Sequence, residues 1–212
     1  MKVIINSNAT YFPSAFAKIS KCKSYIENKD KFLFIVGGSY EKKKNLGSNV
    51  IQTKINSLDF NGMIYLLQNK ETIKEDKFFY THDTCDFGDN FFNLLSDKFD
   101  LFESARLFTI AKESAFIGIY NKKLLTAYQE QIMKFYNTDK SVEKLNYLKT
   151  MIIRNESFLL RSSPSLCKER IVTGPFDVYS NNVPRISEFF PELDYYKFKA
   201  NWFLKNNYEL KI

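Results

Sequence analysis

Short apolar runs alternate with helical patterns over the first two thirds of the chain, and this alternation most constrains the fold. The clearest runs are KVII, KFLFIV and FFYT, which cover Lys2–Ile5, Lys31–Val36 and Phe78–Thr81. Asn49–Ile55 alternates apolar and polar residues, and Ala115–Tyr120 is a further apolar run. Runs of this length bounded by polar turns are typical of buried strands.

Helical spacing fills the intervals between these strands. Pro13-Ser14 is typical of a helix start, and it precedes a helical face made by Phe16, Ile19, Lys23 and Ile26. Further helices are predicted from Asp59, around Phe91–Leu95, and over Leu124–Tyr136 and Val142–Ile153. Alternating strands and helices predict an α/β fold, in which helices flank both faces of a central, mostly parallel sheet.

In such sheets, ligands bind beyond the carboxyl ends of the strands. The residues that follow each predicted strand are therefore candidates for a site. They are Asn6, Ser7, Asn8, Thr10 and Tyr11 after the first strand, Gly37 and Gly38 after the second, Asn56–Asp59 after the third, and His82–Asp86 after the fourth.

Carboxylates follow the fourth strand directly. Asp83 and Asp86 would lie at the ligand edge, where oxygen donors suit a hard cation such as Mg²⁺ or Mn²⁺. An equally good interpretation is that one of them caps the next helix. His82 alone is more typical of a structural hydrogen bond, and Cys85 of buried packing.

Composition narrows the class of protein. A chain of 212 residues is expected to form one domain, and its net charge of +7 favours an anionic partner. The odd cysteine number (Cys22, Cys85, Cys167) argues against a disulfide framework. We find no signal-like segment and no apolar stretch of about 20 residues, so we expect a cytoplasmic protein without a membrane partner. P-loop and GxGxxG motifs are absent, and a single histidine gives little support for a hydrolytic triad.

Several segments together resemble GT-A glycosyltransferases. FFYTHD resembles the strand that delivers the metal-binding DxD motif of that family, although Asp83-Thr84-Cys85 lacks the second aspartate and Asp86 comes one residue late. Residues 115–121 (AFIGIYN) are similar to the strand flanking the sugar pocket, and Asn8-Ala9-Thr10-Tyr11 to the first-strand loop around the nucleotide. Lys199-Ala200-Asn201-Trp202 resembles the Lys-Pro-Trp of some retaining members. The resemblance is closer to the glycosyltransferase domains of large chlorella-virus proteins that build capsid glycans, and such a chain could carry further domains.

The resemblance implies a UDP-sugar donor, of UDP-glucose or UDP-rhamnose type, a glycan acceptor such as a capsid-protein glycan, and no nucleic-acid partner. The nucleotide would meet Asn6–Tyr11, Gly37, Gly38, Asp59 and His82 within a nucleotide-binding part over about residues 1–120. Residues 121–212 would contact the acceptor and close the site. Asp83 and Asp86 would hold Mn²⁺ or Mg²⁺.

The C-terminal part supplies the remaining candidates. Lys197 and Lys199 are candidates for binding phosphate, although YYKFKANW alternates with period two and its lysines could instead form the solvent face of a strand. Arg185 is a candidate for binding phosphate or the acceptor, and the alternative is an ordinary surface arginine. Glu156 and Asp177 are the candidate catalytic carboxylates. Transfer with retention can proceed with the leaving phosphate assisting. The resemblance favours retention, since Glu156 follows a long predicted helix, where retaining relatives place a polar residue beside the sugar.

Two other classes stay open. A basic, aromatic-rich chain could be a module that binds single-stranded nucleic acid, with Phe and Tyr as stacking platforms. Most aromatics here occupy core-like positions, and no RNP or KH signature is present. A nucleotidyltransferase uses a similar sheet, but it favours a basic, glycine-rich first loop, and Asn6–Pro13 contains no Gly, Lys or Arg.

Overall fold

The computed structural model describes residues 1–39, 47–107, 117–155, 169–170 and 187–198. The strands are β1 Lys2–Asn8, β2 Phe32–Gly37, β3 Val50–Gln52, β4 Lys77–His82, β5 Cys85–Phe87, β6 Ala105–Arg106, β7 Gly118–Asn121, β8 Glu169–Arg170, β9 Ser187–Phe190 and β10 Tyr195–Phe198. The helices are α1 Phe12–Ile19, α2 Lys23–Glu27, α3 Asn61–Gln68, α4 Phe91–Leu101, α5 Lys122–Ala127, α6 Gln129–Met133 and α7 Val142–Asn155. Short 3₁₀ turns cover Lys29–Lys31 and Leu58–Phe60.

The described strands form a large and a small sheet. The large sheet has the order β3-β2-β1-β4-β7-β6-β8. Strands β3, β2, β1 and β4 run parallel, whereas β7 is antiparallel to both β4 and β6. The small sheet, β5-β10-β9, is antiparallel.

Each central strand buries both of its faces, because helices cover the large sheet on both sides. In β1, Val3 and Ile5 join one apolar cluster with α1 and α4, while Ile4 joins another with α3, α5 and α6. In β2, Phe34 and Ile35 divide in the same way. This arrangement confirms the predicted α/β class and its mostly parallel, mixed sheet.

Hydroxyl groups and a turn attach the small sheet to the large one. Thr81 Oγ1 and Tyr195 Oη are 2.6 Å apart in the core. At the β9–β10 turn, Asp194 has a left-handed backbone (φ 49°), and its carbonyl accepts a hydrogen bond from Gly88 N–H. A Cβ at Gly88 would lie 2.0 Å from the Asp194 carboxylate, so this contact requires glycine.

Several predicted boundaries are wrong. The predicted face through Phe16, Ile19, Lys23 and Ile26 is split between α1 and α2, and Ile26 is 64% exposed. The helix expected over 124–136 breaks at Tyr128 into α5 and α6, both of which pack on α3. The strand expected over 49–55 shortens to β3.

Some predictions fall outside the described residues. They concern Glu156, Asp177, Arg185, Lys199, Cys167 and the segment 199–202. Among the helices that are described, none combines the length and apolar character needed to span a bilayer.

Candidate functional site

The strand order reverses between β1 and β4. From β1 the chain adds β2 and then β3 on one side, whereas β4 lies on the other side of β1. In open α/β sheets, the crevice beyond the carboxyl ends at such a switch point is where ligands bind. The last register pair there is Asn6 with His82, and Asp83 N–H donates to Asn6 O at 3.0 Å. The site is therefore built around the predicted strand-end residues.

Asp83 is held at this point by the neighbouring strand. Ser7 Oγ donates to Asp83 Oδ2 at 2.5 Å, and Asp83 is only 7% exposed. Burial raises the pKa of Asp83 to about 6, against the opposing effects of the Ser7 hydrogen bond and the Lys197 charge. Removing a carboxylate from water disfavours its charged form. The Asp83 carboxylate is therefore held in one orientation, and the favourable contacts offset only part of the cost of burying its negative charge.

Asp59 reaches the same site from the loop after β3. It follows Leu58, a non-glycine residue in the left-handed region (φ 53°), and Tyr80 Oη donates to its carbonyl at 3.0 Å. Desolvation raises the pKa of the Asp59 carboxyl, although Lys197 and Lys149 lower it; because 43% of the side chain is exposed, water reaches this carboxylate more than it reaches Asp83. The Asp59 charge in turn raises the pKa of Asp83. The two carboxylates therefore share one electrostatic environment.

His82 lies beside Asp59, with its Nδ1 3.5 Å from Asp59 Oδ1. Burial, and then the positive charge of Lys197, hold the pKa of His82 well below its ordinary value. The imidazole is consequently neutral at pH 7, and it contributes polarity to the site without a charge.

Lys197 enters from β10 and is buried, with 2% of its surface exposed. Its ammonium group donates to Thr84 O at 3.1 Å, to Phe198 O at 3.2 Å and to Thr84 Oγ1. Burial lowers the pKa of Lys197, whereas Cys85, Asp83 and Asp59 raise it. The side chain does not lie on a solvent face, so that interpretation of the alternating segment is wrong for Lys197.

A network of asparagine side chains fixes the loops around the carboxylates. Asn6 Nδ2 donates to Leu58 O at 3.1 Å, and its Oδ1 accepts from Gly62 N–H at 2.7 Å. Asn61 Nδ2 donates to Ser7 O at 3.2 Å. Asn6 was predicted to bind nucleotide, but its amide is engaged in holding the loop that carries Asp59.

Asn56 and Asn137 extend this network to the segment between α6 and α7. Asn56 N–H donates to Asn137 O at 2.7 Å, and Asn137 Nδ2 donates to Asn56 O at 2.9 Å. The sequence placed Asn56 at a strand end, but it gave no signal for Asn61 or Asn137. Their roles depend on contacts across as many as 81 residues of chain.

The other predicted nucleotide-binding positions surround the end of β1. Asn8 Oδ1 accepts from Thr10 N–H at 2.9 Å, and Thr10 and Tyr11 are exposed, Tyr11 by 39%. A Cβ at Gly37 would lie 2.1 Å from Asn61 Nδ2, so the absent side chain makes room for α3. Gly38 has a left-handed backbone (φ 68°), which favours glycine.

Asp86 belongs to a different cluster. Its carboxylate lies 3.2 Å from Lys18 Nζ and accepts from Cys22 Sγ at 2.7 Å. Neighbouring Cys85 is fully buried, as expected. Neither aspartate caps α4, since Asn90 precedes that helix and the Asn90 N–H donates to Asp194 Oδ2. The structure thus brings Asp83 together with Asp59 and not with Asp86.

No group of three His, Cys, Asp or Glu side chains in the described ranges is arranged to hold a metal ion. Mg²⁺ and Mn²⁺ commonly use one or two carboxylates and complete their coordination with substrate phosphate and water. Asp83 and Asp59 fit that pattern, because they are two incompletely compensated carboxylates at a ligand edge.

Comparisons with known proteins give no matching family model and no matching curated protein. Two glycosyltransferases are among the solved structures that are similar. One is a glycosyltransferase involved in the glycosylation of the major capsid of PBCV-1, at 11% identity and a TM-score of 0.44, covering 82% of this chain and 83% of that one. The other is the galactosyltransferase LgtC in complex with donor and acceptor sugar analogs. It has 13% identity and a TM-score of 0.44, and the match covers 74% of this chain and 70% of that one. Both of these structures are glycosyltransferases.

Proposed function

We propose that the chain is a metal-dependent glycosyltransferase that moves a sugar from a UDP-sugar to a glycan acceptor. The observation that supports this most is the position of Asp83, held by Ser7 at the switch point beside Asp59 and Lys197. A diphosphate is anionic and would be repelled by two carboxylates alone. A divalent cation between the carboxylates and the diphosphate would remove this repulsion. Two carboxylates with a bound cation are therefore suited to a nucleotide-sugar.

The chain's own residues would divide the work. Asp83 and Asp59 would hold Mn²⁺ or Mg²⁺, whose chemistry is to neutralise charge on the leaving diphosphate. Ser7 keeps the Asp83 carboxylate oriented through its hydrogen bond. Exposed Thr10 and Tyr11 would meet the nucleoside, because they border the carboxyl end of β1.

The finer assignments extend the same proposal. Lys199 and Arg185 would bind phosphate, and Glu156 and Asp177 are the carboxylates proposed to assist transfer, with retention of configuration. The sugar would be of glucose or rhamnose type, the acceptor a capsid-protein glycan, and the compartment the cytoplasm of an infected cell. These assignments rest on the sequence resemblance and on no described contact.

A thermal-shift matrix tests the proposal. UDP, UDP-glucose, ADP and GDP are each tested with Mn²⁺, with Mg²⁺ and with EDTA. We expect UDP compounds to raise the melting temperature most, and more with metal than with EDTA. A ligand at 100 times its Kd adds about 2.7 kcal/mol to the free energy of unfolding, which a melting curve resolves. No shift with any nucleotide would contradict the proposal.

The same matrix separates the nucleotidyltransferase alternative. Such an enzyme takes a nucleoside triphosphate and releases diphosphate, so UTP or another triphosphate with Mg²⁺ should stabilise it more than any UDP-sugar does. UDP release from UDP-glucose, followed by chromatography, then reports cleavage of the sugar–phosphate bond, and a glycosylated product formed when a glycan acceptor is added identifies transfer.

A further inference from the structure

Lys197 occupies an enclosed position that few lysines adopt. It lies on β10, opposite Cys85 of β5, and its Nζ contacts Thr84, a residue 113 positions earlier in the chain. Thr84 directly follows Asp83 and is itself buried. Phe198 N–H also donates to Thr84 O, at 3.0 Å. The corner between β4 and β5, which carries Asp83, is therefore held by hydrogen bonds from Lys197 and Phe198 of β10.

The hydrogen-bonding capacity of the ammonium group is used up within the protein. A lysine ammonium has three N–H donors. The three acceptors are Thr84 O, Thr84 Oγ1 and Phe198 O. Lys197 could bind a phosphate only after one of these buried contacts was broken, which would cost a hydrogen bond made by a charged donor inside the protein.

We propose that Lys197 is a positioning residue that fixes the Asp83 corner through Thr84, and that it does not bind the donor diphosphate. The inference rests on the proposed function, since it assigns how the Asp83 carboxylate is kept in place for a cation. Its charge balances part of the negative charge of Asp83 and Asp59 from within the protein. Direct phosphate contacts then come from other side chains.

The first experiment measures Mn²⁺ affinity without nucleotide, from the EPR signal of free Mn²⁺, in wild type, Thr84→Val and Thr84→Ser. Groups that orient a metal ligand typically change metal affinity by about 10- to 100-fold when they are removed. We expect Thr84→Val to weaken Mn²⁺ binding by about tenfold, and Thr84→Ser, which keeps the hydroxyl, to match the wild type. Val and Thr have nearly the same shape, so the pair isolates the hydroxyl.

The second experiment measures UDP affinity in EDTA for wild type and Lys197→Met. Without metal, Lys197→Met removes only the indirect balance of charge on Asp83 and Asp59, so we expect UDP affinity to fall by less than about tenfold, which is less than the loss of a direct charged hydrogen bond would cost. A loss of tenfold or more in EDTA would overturn the proposal, and so would a Thr84→Val variant with wild-type Mn²⁺ affinity. If Lys197→Met does not fold, the Thr84 pair still decides.

The failures of the two proposals are distinguishable. If the wild type binds neither Mn²⁺ nor UDP, the proposed function is wrong and the inference falls with it. If the wild type binds both and Thr84→Val behaves like the wild type, only the role of Lys197 is wrong.

Discussion

Asp83 shows how a single buried carboxylate can link stability to function. Its pKa rises from the ordinary 3.8 to about 6 in the folded protein. The folded state therefore binds more protons than the unfolded state between these two values, and the free energy of unfolding falls as the pH rises through that window. By pH 7 the ionised carboxylate costs on the order of 3 kcal/mol of stability, since one pKa unit corresponds to about 1.4 kcal/mol.

Asp83→Asn should therefore stabilise the metal-free protein at neutral pH. We expect its urea midpoint to exceed the wild-type value at pH 7, and the difference to shrink as the pH falls through the window and to vanish only below the unfolded-state pKa of 3.8, where the wild-type carboxyl is protonated in both states. Mn²⁺ should raise the midpoint of the wild type and leave that of Asp83→Asn unchanged.

Asp86→Asn is the matched control for this prediction. It breaks an ion pair with Lys18 whose side chains are only 17% and 15% exposed, so we expect it to lower stability by on the order of 3 kcal/mol and to keep the Mn²⁺ effect. If Asp83→Asn keeps the Mn²⁺ effect and Asp86→Asn loses it, the metal ligand has been misassigned.

At the scale of elements, the small sheet depends on a buried hydroxyl pair. Thr81 Oγ1 and Tyr195 Oη lie 2.6 Å apart and join β4 to β10. Tyr195→Phe and Thr81→Val should each lower the free energy of unfolding by about 1–2 kcal/mol, because each removes the buried hydrogen bond between the two hydroxyls, while Thr81 Oγ1 keeps a longer contact of 3.4 Å to His82 O. The double variant should cost clearly less than the sum, since both single variants lose the same hydrogen bond. Urea unfolding of the wild type, both single variants and the double variant measures this coupling. Tyr136 is exposed, so Tyr136→Phe is a control that should leave the free energy of unfolding unchanged. Strictly additive effects would contradict the coupling.

The sequence was most informative where local pattern and burial agree. The apolar runs of β1, β2 and β4 predicted central strands, because a strand covered on both faces needs apolar residues throughout. β5 could not be predicted in this way, since Cys85–Phe87 is too short to show a period. The pairing of β5 with β10 is also set across more than 100 residues of chain.

Site residues were predictable by position and less so by role. The switch-point rule selected Ser7, His82 and Asp83, and the structure brings these residues together. The rule could not tell that the Asn6 amide is occupied by Leu58 and Gly62, or that Asp86 contacts Lys18. Both outcomes depend on partners from other elements, which strand-end position does not reveal.

At the scale of the whole molecule, most of the aromatic content is structural. Phe32, Phe34, Phe79 and Phe91 lie in one apolar core, and edge-to-face ring pairs connect many of its members. In the described parts of the chain, the large aromatic side chains that are clearly exposed are Tyr11, Tyr136, Tyr147 and Phe189. A single-stranded nucleic-acid module needs a row of exposed rings beside a basic groove. The described surface therefore offers few of the stacking platforms that such a module requires.

Salt dependence should separate a nucleotide-sugar enzyme from a nucleic-acid module. A chain with a net charge of +7 attracts any polyanion at low salt, so weak oligonucleotide binding there is expected for either class. Binding through exposed lysines releases counterions and falls steeply between about 50 and 200 mM salt. Contacts made by the buried Asp83 are screened much less. We expect the anisotropy signal of bound, labelled oligo(dT) to be lost over that range. The affinity for UDP with Mn²⁺, measured by calorimetry, should weaken by less than about threefold, because the protein charges that pair with this ligand are buried. Oligonucleotide binding that persists at the higher salt, with no heat from UDP, would favour the nucleic-acid module instead.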